Sequence, residues 1–276
     1  MGLFFIFSPL LDILEIISKM EGINVKKEMA LAFTAFFFIS LSAITVAYAF
    51  EENSKTIEIA KKEADITGDG KNEAILLKGV PYQDEEDDYL SEIFAEVKAS
   101  NGQTYTIPLE SGSKAAMQLV DLNNDGLKDL FISIFTGGSG GTTMDHLYTM
   151  KNFQKTDLSV PDPLEMESRF LNGYKAEIKI AETGKSYFFN LKDRKKYYKK
   201  LGLYHKGRLN EPIELTVNPY SSLKPIKLED GRYGLTGVQR VTGIANADMI
   251  ASAESTWSYI NGSWRLAHVK IFKEGK

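Results

Sequence analysis

The sequence contains no cysteine and only three histidines, His146, His205 and His268, in 276 residues. Without cysteine the chain has no disulfide framework, no thiolate metal site and no cysteine nucleophile. The histidines lie far apart along the chain, which argues against a histidine-rich zinc site. A basic excess is also missing, because 33 Lys and Arg residues face 37 Asp and Glu residues and the net charge is -4. That balance argues against a general nucleic-acid-binding protein.

Hydrophobic residues (43%) and charged residues (25%) are present in globular proportions, and the length allows one large domain or two small ones. The stretch Met29–Ala49 is uncharged, follows Lys26 and Lys27, and ends in Ala47-Tyr48-Ala49. A basic start, an apolar centre and an Ala-x-Ala end are typical of a secretory signal peptide, with cleavage after Ala49. The run is also long enough to cross a bilayer, so an anchor formed by residues 29–49 is the alternative, with a buried core helix as a third interpretation.

Residues 1–19 are apolar but are interrupted by Asp12 and Glu15. They are either an artefact of start-site choice, with Met20 or Met29 as the true start, or an amphipathic helix lying against the membrane. The predicted organisation therefore begins with an upstream segment and signal peptide over residues 1–49. It predicts a protein that is secreted or held at the cell surface.

After residue 54 the chain consists of short runs rich in Ile, Val, Phe, Tyr and Thr, separated by turn residues such as Asn101-Gly102 and Asn261-Gly262. This spacing predicts an all-β fold of antiparallel strands joined by hairpins. The proline-containing segment Val160–Leu164 is a predicted linker or loop and divides the chain into regions 50–160 and 161–276. Lys192–Leu203 predicts a short, solvated basic helix, and Asp88–Phe94 is ambiguous between helix and strand.

Two nine-residue loops carry the strongest chemical signal. Loop 1, residues 65–73, reads Asp-x-Thr-x-Asp-Gly-x-x-Glu, and loop 2, residues 121–129, reads Asp-x-Asn-x-Asp-Gly-x-x-Asp. Oxygen side chains at positions 1, 3, 5 and 9 suit Ca²⁺, which takes six to eight oxygen ligands, and glycine at position 6 permits the sharp turn. Neither loop is an EF-hand, because position 12 is Leu76 or Ile132 rather than Glu. The alternative is a pair of ordinary Asx turns.

These loops resemble those of FG-GAP/VCBS-type repeats, the calcium-loop repeats of integrin-like β-propellers, and the exported chain is similar to secreted VCBS-repeat proteins of Bacillus-like bacteria. The resemblance covers roughly residues 55–145. It implies calcium ligation by the residues at positions 1, 3, 5, 7 and 9, with position 7 contributing its carbonyl oxygen: Asp65, Thr67, Asp69, Lys71 and Glu73 in loop 1, and Asp121, Asn123, Asp125, Leu127 and Asp129 in loop 2.

A full propeller needs four or more blades, and only two such loops are visible. Glu229-Asp230-Gly231 lacks the flanking ligands and predicts a plain hairpin turn. The expected architecture is therefore a partial propeller-like or open sandwich arrangement of antiparallel strands.

Other segments carry weaker signals. The glycine-rich stretch Thr136–Thr143 predicts either a structural loop or a ligand-facing loop beside Asp145 and His146, and its match to a serine nucleophile elbow lacks a following helix. Trp257 and Tyr259 share one strand face, which favours core packing over a sugar-stacking platform.

The sequence thus predicts an exported calcium-binding β-protein without enzymatic activity, serving as a binding or structural module of the bacterial cell envelope or extracellular space. The competing hypothesis is an exported enzyme acting on cell wall or polysaccharide. The partner is unknown; cell-wall polysaccharide and a surface protein are the candidates, nucleic acid is not expected, and the membrane is contacted only through an uncleaved N-terminal segment.

Overall fold

The computed structural model describes residues 56–82 and 89–273. Two of the predicted features lie outside these residues: the upstream segment 1–19, and the signal peptide or anchor 29–49 with its cleavage site after Ala49. Within the described part, no helix has the length and apolar character needed to cross a membrane.

The described chain is all-β, and every strand pairing is antiparallel, which confirms the predicted fold class at this level. The strands are β1 (Ile57–Ala64), β2 (Glu73–Pro81), β3 (Leu90–Lys98), β4 (Thr104–Leu109), β5 (Lys114–Val120), β6 (Asp129–Phe135), β7 (Thr143–Thr149), β8 (Thr156–Asp157), β9 (Met166–Leu171), β10 (Lys175–Ile180), β11 (Ser186–Asn190), β12 (Tyr204–His205), β13 (Arg208–Leu209), β14 (Thr216–Lys227), β15 (Tyr233–Thr242), β16 (Met249–Ile260) and β17 (Ser263–Lys273).

Three four-stranded sheets follow chain order, β1-β2-β3-β4, β5-β6-β7-β8 and β14-β15-β16-β17. A three-stranded sheet has the order β11-β10-β9, and β12 pairs with β13. The ambiguous stretch 88–94 enters strand β3 at Leu90. The predicted basic helix is a 3-10 turn, Lys192–Arg194, followed by α1 (Lys195–Lys200).

The sheet β5–β8 is buried on both faces because β6 is apolar at both odd and even positions. Leu130 and Ile132 point toward a core shared with β1–β4, where Ile75 is fully buried. Phe131 points the other way, into a core shared with Leu235 of the sheet β14–β17. Successive side chains of a strand face opposite sides, so one strand serves two cores.

The segment Val160–Leu164 is a loop that packs into the second of these cores. The buried side chain of Gln239 accepts a hydrogen bond from the Leu164 amide at 2.7 Å and donates one to the Leu164 carbonyl at 3.2 Å. The Trp264 indole donates to the Ser159 carbonyl at 3.1 Å. The division of the chain at residue 160 remains a prediction.

Candidate metal-binding loops

Loop 1 joins β1 to β2, and loop 2 joins β5 to β6. In both, the position-9 acid is the first residue of the strand that follows, Glu73 in β2 and Asp129 in β6. The position-6 glycines have φ values of 83° at Gly70 and 90° at Gly126. This left-handed conformation is open to glycine and costly for residues with a side chain, which explains the glycine at this position.

At positions 1 and 5, one backbone hydrogen bond each is the same in both loops. The position-6 glycine amide donates to the position-1 carboxylate, at 2.8 Å in loop 1 (Asp65) and 3.0 Å in loop 2 (Asp121). The position-7 amide donates to the position-5 carboxylate, at 2.8 Å for Asp69 and 3.0 Å for Asp125. The repeated sequence pattern therefore produces a repeated loop conformation.

The position-9 acids close the loops from inside the protein. Glu73 and Asp129 are both 0% exposed. The position-2 amide donates to each of them, Ile66 to Glu73 at 3.0 Å and Leu122 to Asp129 at 2.9 Å. Burial, with smaller contributions from the nearby Asp125 and Asp121 charges, raises the pKa of Asp129 to about 6 against the effect of its amide hydrogen bonds. Loop 2 thus contains a buried carboxylate whose negative charge is not fully offset by its hydrogen bonds.

Position 3 differs between the loops. The Oγ1 atom of Thr67 is buried and has no hydrogen-bond partner. The side chain of Asn123 is engaged at both ends: its Oδ1 accepts from the Asp125 amide at 2.9 Å, and its Nδ2 donates to Asp129 at 3.4 Å. A buried oxygen without a partner is uncommon, and an ion or a water is a usual reason for one.

The two loops lie side by side. Gly68 of loop 1 is covered by Leu127, the position-7 residue of loop 2, whose Cδ1 lies 3.2 Å from an ideal Cβ placed on that glycine. The turn after β7 contacts both loops, because the Asn152 amide donates to the Thr67 carbonyl at 2.9 Å and the Lys151 ammonium lies 3.1 Å from Asp125. The side chain of Lys71, at position 7 of loop 1, is exposed.

The structure therefore gathers the predicted ligands of each loop around that loop's own amide groups. Within residues 56–82 and 89–273, no three Asp, Glu or His side chains meet in a geometry that would hold a metal ion. The contacts of Leu127, Lys151 and Asn152 were not predicted, because they depend on how β5–β8 packs against β1–β4 rather than on any local pattern.

The glycine-rich stretch connects β6 to β7, so no helix follows Ser139 and the nucleophile-elbow context is absent. Arg240 holds this loop by donating to the Gly140 carbonyl at 3.3 Å, and Asn246 donates to Ser139 Oγ at 3.1 Å. His146 pairs instead with Glu110, at 2.7 Å. The predicted ligand-facing role remains a hypothesis.

Two smaller predictions are confirmed. Trp257 is 8% exposed and lies in the core between β5–β8 and β14–β17, as expected for a packing role. Glu229-Asp230-Gly231 forms the turn between β14 and β15, where the Leu228 amide donates to the Arg232 carbonyl at 2.8 Å.

These features define an all-β protein of antiparallel sheets with two matched acidic loops. Residues 164–272 match the family model described as the YybI C-terminal domain. The chain is 27% identical over 218 residues to the uncharacterized protein YybI of Bacillus subtilis (strain 168), an alignment covering 75% of this chain and 82% of that protein. Both acidic loops lie outside the segment that the family model matches.

The chain also aligns with the crystal structure of the exotype rhamnogalacturonan lyase YesX, with a TM-score of 0.36 and 14% identity. The alignment covers 79% of this chain but only 33% of the lyase, so this chain spans about a third of that protein's length. A likeness this distant says nothing about activity.

Proposed function

We propose that this chain is an exported β-protein that binds calcium through loops 1 and 2 and acts as a non-enzymatic binding or structural module of the cell envelope or extracellular space. The observation that carries the proposal is the repetition of one hydrogen-bond scheme, at positions 1, 5 and 9, in two adjacent loops. Two unrelated Asx turns have no reason to share all three contacts.

The loop amides do not exhaust the capacity of the acids. A carboxylate offers about four lone-pair sites, whereas Asp121 accepts two backbone hydrogen bonds in loop 2. The remaining lone pairs, together with the position-7 carbonyl, are the kind of ligand that Ca²⁺ prefers. The proposed ligands are therefore the ten predicted residues: Asp65, Thr67, Asp69, Lys71 and Glu73, and Asp121, Asn123, Asp125, Leu127 and Asp129.

Each loop has a feature that a cation would satisfy. In loop 1 it is the buried Thr67 Oγ1, which has no partner. In loop 2 it is Asp129, whose pKa is raised to about 6 by burial and by neighbouring acids. A bound divalent cation would stabilise the ionised form of Asp129 and would be coordinated by a lone pair of Thr67 Oγ1.

The proposed architecture is a partial propeller-like or open sandwich arrangement. It is supported by three four-stranded meanders in chain order, of which β5–β8 shares a core with each of the other two. A four-stranded antiparallel meander is also the unit of a propeller blade. The first two meanders each carry one acidic loop between their first two strands, which agrees with the proposed relationship to FG-GAP/VCBS-type repeats.

Calcium-dependent thermal unfolding tests the proposal. Ligand that binds only the folded chain stabilises it by about 1.4 kcal/mol per site at ten times Kd. Calcium should raise Tm, and Asp125→Ala should remove the share that belongs to loop 2. Asp230→Ala is the matched control, because Asp230 also precedes a glycine in a turn but has no ligand set around it. Magnesium should act weakly, since it demands a stricter octahedral shell.

An identical melting curve in chelator and in millimolar calcium would contradict calcium binding. An equal loss of the calcium response in Asp125→Ala and Asp230→Ala would place the ion outside loop 2.

The competing proposal is an exported enzyme acting on cell wall or polysaccharide. The feature that favours it is an open groove of about 1160 Å³ beside β9 and β10, lined by both acidic and basic side chains. Arg169 and Glu177 pair across this surface at 2.7 Å. Release of soluble sugar from purified wall material by the wild type, and its loss in Glu177→Gln, would support this proposal over a binding module.

A further inference from the structure

The segment 192–208 differs in charge from the rest of the chain. It contains eight Lys and Arg residues and a single acid, Asp193, which gives a local net charge of +7 in a chain of net charge -4. The like charges of such a cluster repel one another. The cluster therefore carries an electrostatic cost unless an anionic surface lies against it.

The body of the protein holds this segment by three buried or half-buried side chains. Asp248 is buried and lies 2.6 Å from the Arg194 guanidinium, and the Tyr198 hydroxyl donates to it at 2.9 Å. Arg194 also donates to the Met249 carbonyl at 2.6 Å. Helix α1 is therefore fixed in orientation, with Tyr198 inward and its lysines outward.

The outward lysines have no acidic partner in the part of the chain that the structure describes. Arg194 is the one basic residue of the segment that forms an ion pair there. We call the exposed set the basic patch; its members are Lys192, Lys195, Lys196, Lys199, Lys200 and Lys206. Because these lysines form no ion pair within the described residues, their charges are available to a negatively charged partner.

Two apolar side chains stand among these lysines. Tyr197 is 42% exposed and Leu201 is 47% exposed. They are four residues apart and so are neighbours on the same side of the helical turn. A tyrosine and a leucine surrounded by lysines suit a partner that is both anionic and apolar just below its surface, whereas a soluble polyanion needs the charges alone.

We propose that the basic patch, with Tyr197 and Leu201, is a docking surface for an anionic lipid bilayer. The lysines approach the phosphate headgroups, and the two apolar side chains enter the headgroup boundary. This interaction needs no calcium and is separate from loops 1 and 2, so it stands or falls independently of the function proposed above.

Vesicle co-sedimentation in the presence of chelator tests the proposal. All variants keep the full chain, and binding is expressed as the ratio between phosphatidylglycerol-containing vesicles and pure phosphatidylcholine vesicles, so that the N-terminal apolar segment contributes equally. The combined variant Lys195→Gln, Lys196→Gln, Lys199→Gln, Lys200→Gln should lower this ratio by about 1,000-fold, since each of the four basic residues contributes on the order of 1 kcal/mol near an anionic surface.

The matched control removes the same charge elsewhere, from the exposed lysines Lys62, Lys114, Lys224 and Lys227, and should leave the ratio almost unchanged. The double variant Tyr197→Ser, Leu201→Ser should weaken vesicle binding but not binding to soluble polyphosphate. Far-ultraviolet circular dichroism and Tm verify folding, which these exposed positions should not disturb.

Two results would overturn the proposal. One is an undiminished ratio in the quadruple patch variant. The other is wild-type protein that binds polyphosphate or duplex DNA and shows no preference for anionic vesicles, which would assign the patch to a soluble polyanion instead.

Discussion

Loops 1 and 2 share a backbone conformation, but they differ in the groups that offset the negative charge of their acidic side chains. At position 9 the longer Glu73 reaches beyond its own loop, and its Oε1 accepts from the Ser100 amide at 3.3 Å. Asp129 contacts only loop 2, and its pKa is raised by burial. One additional methylene thus gives loop 1 a link to the β3–β4 turn that loop 2 lacks.

The position-5 acids, Asp69 and Asp125, also differ in the group that offsets their charge. Asp69 accepts a hydrogen bond from the Ser100 hydroxyl at 2.5 Å, and this bond is the main reason that its pKa is lowered. Asp125 is instead paired with the ammonium of Lys151 at 3.1 Å. Loop 1 is therefore stabilised by neutral donors, and loop 2 by a charge that salt screens.

The largest expected effect is a difference in stability between alanine variants of the two position-9 acids. Glu73→Ala should lower the free energy of unfolding by about 4 kcal/mol, because two amides lose their acceptor and a buried cavity remains. Asp129→Ala should cost less, since it also removes a poorly compensated buried charge. Chemical denaturation in chelator measures both values. Glu73→Gln, which keeps an acceptor oxygen, is the control, and an equal loss in both alanine variants would contradict the comparison.

The next effect is a pH dependence that belongs to loop 2. The pKa of Asp129 is raised from 3.8 to about 6 in the folded chain. The folded state therefore binds a proton that the unfolded state has already released. This contribution is fully present below pH 4 and is lost as pH rises through 6, a change of about 3 kcal/mol. Denaturation in chelator across this range should show the loss in wild type and a flatter profile in Asp129→Asn.

A profile in Asp129→Asn that is parallel to wild type would assign the pH dependence to another group. Saturating calcium should abolish the loss in wild type, because it favours the ionised carboxylate.

A smaller effect tests the contact between the loops. Leu127→Ala should lower stability by about 1 kcal/mol, because the side chain that covers Gly68 is shortened at a half-buried site. Lys71→Ala, at the same position of loop 1, should have almost no effect, since Lys71 is exposed. Tm of the two variants measures the difference, and equal values would mean that Leu127 does not couple the loops.

The smallest effect concerns the position-5 partners. The Lys151 and Asp125 side chains are 50% and 24% exposed, so Lys151→Met should cost only about 0.5 kcal/mol. The loss should disappear at high salt, whereas any loss from Ser100→Ala should persist. Salt-dependent denaturation of the two variants checks this, and a salt-independent loss in Lys151→Met would argue for packing rather than charge.

Local sequence patterns were sufficient to predict the local structure. The alternation of apolar residues predicts the strands, and Asp-Gly at positions 5 and 6 predicts a turn with a left-handed glycine in each loop, as at Gly70 and Gly126. The basic run at 192–203 predicts a short helix, and α1 within it buries Tyr198. In each case the deciding interactions lie within a few residues of one another.

Contacts between residues far apart in the sequence could not be predicted in the same way. Gln239 accepts from the Leu164 amide and Arg194 pairs with Asp248, across 75 and 54 residues respectively. Nothing in a strand with alternating polar positions indicates that Gln239 turns inward, because its partner is supplied by the distant loop Val160–Leu164. The candidate site follows the same rule: its ligand residues were predicted, but the contacts of Leu127 with Gly68 and of Lys151 with Asp125 depend on sheet packing.

The two-sided burial of β5–β8 has a consequence for the order in which the chain is made. A ribosome releases β1–β8 well before β14–β17, and only the face carrying Leu130 and Ile132 has a partner at that stage. Phe131 and Leu147, on the other face, wait for side chains such as Leu235 that are synthesised about a hundred residues later. For that interval the nascent protein presents an apolar sheet face to its surroundings, the kind of surface that chaperones recognise and that aggregation exploits.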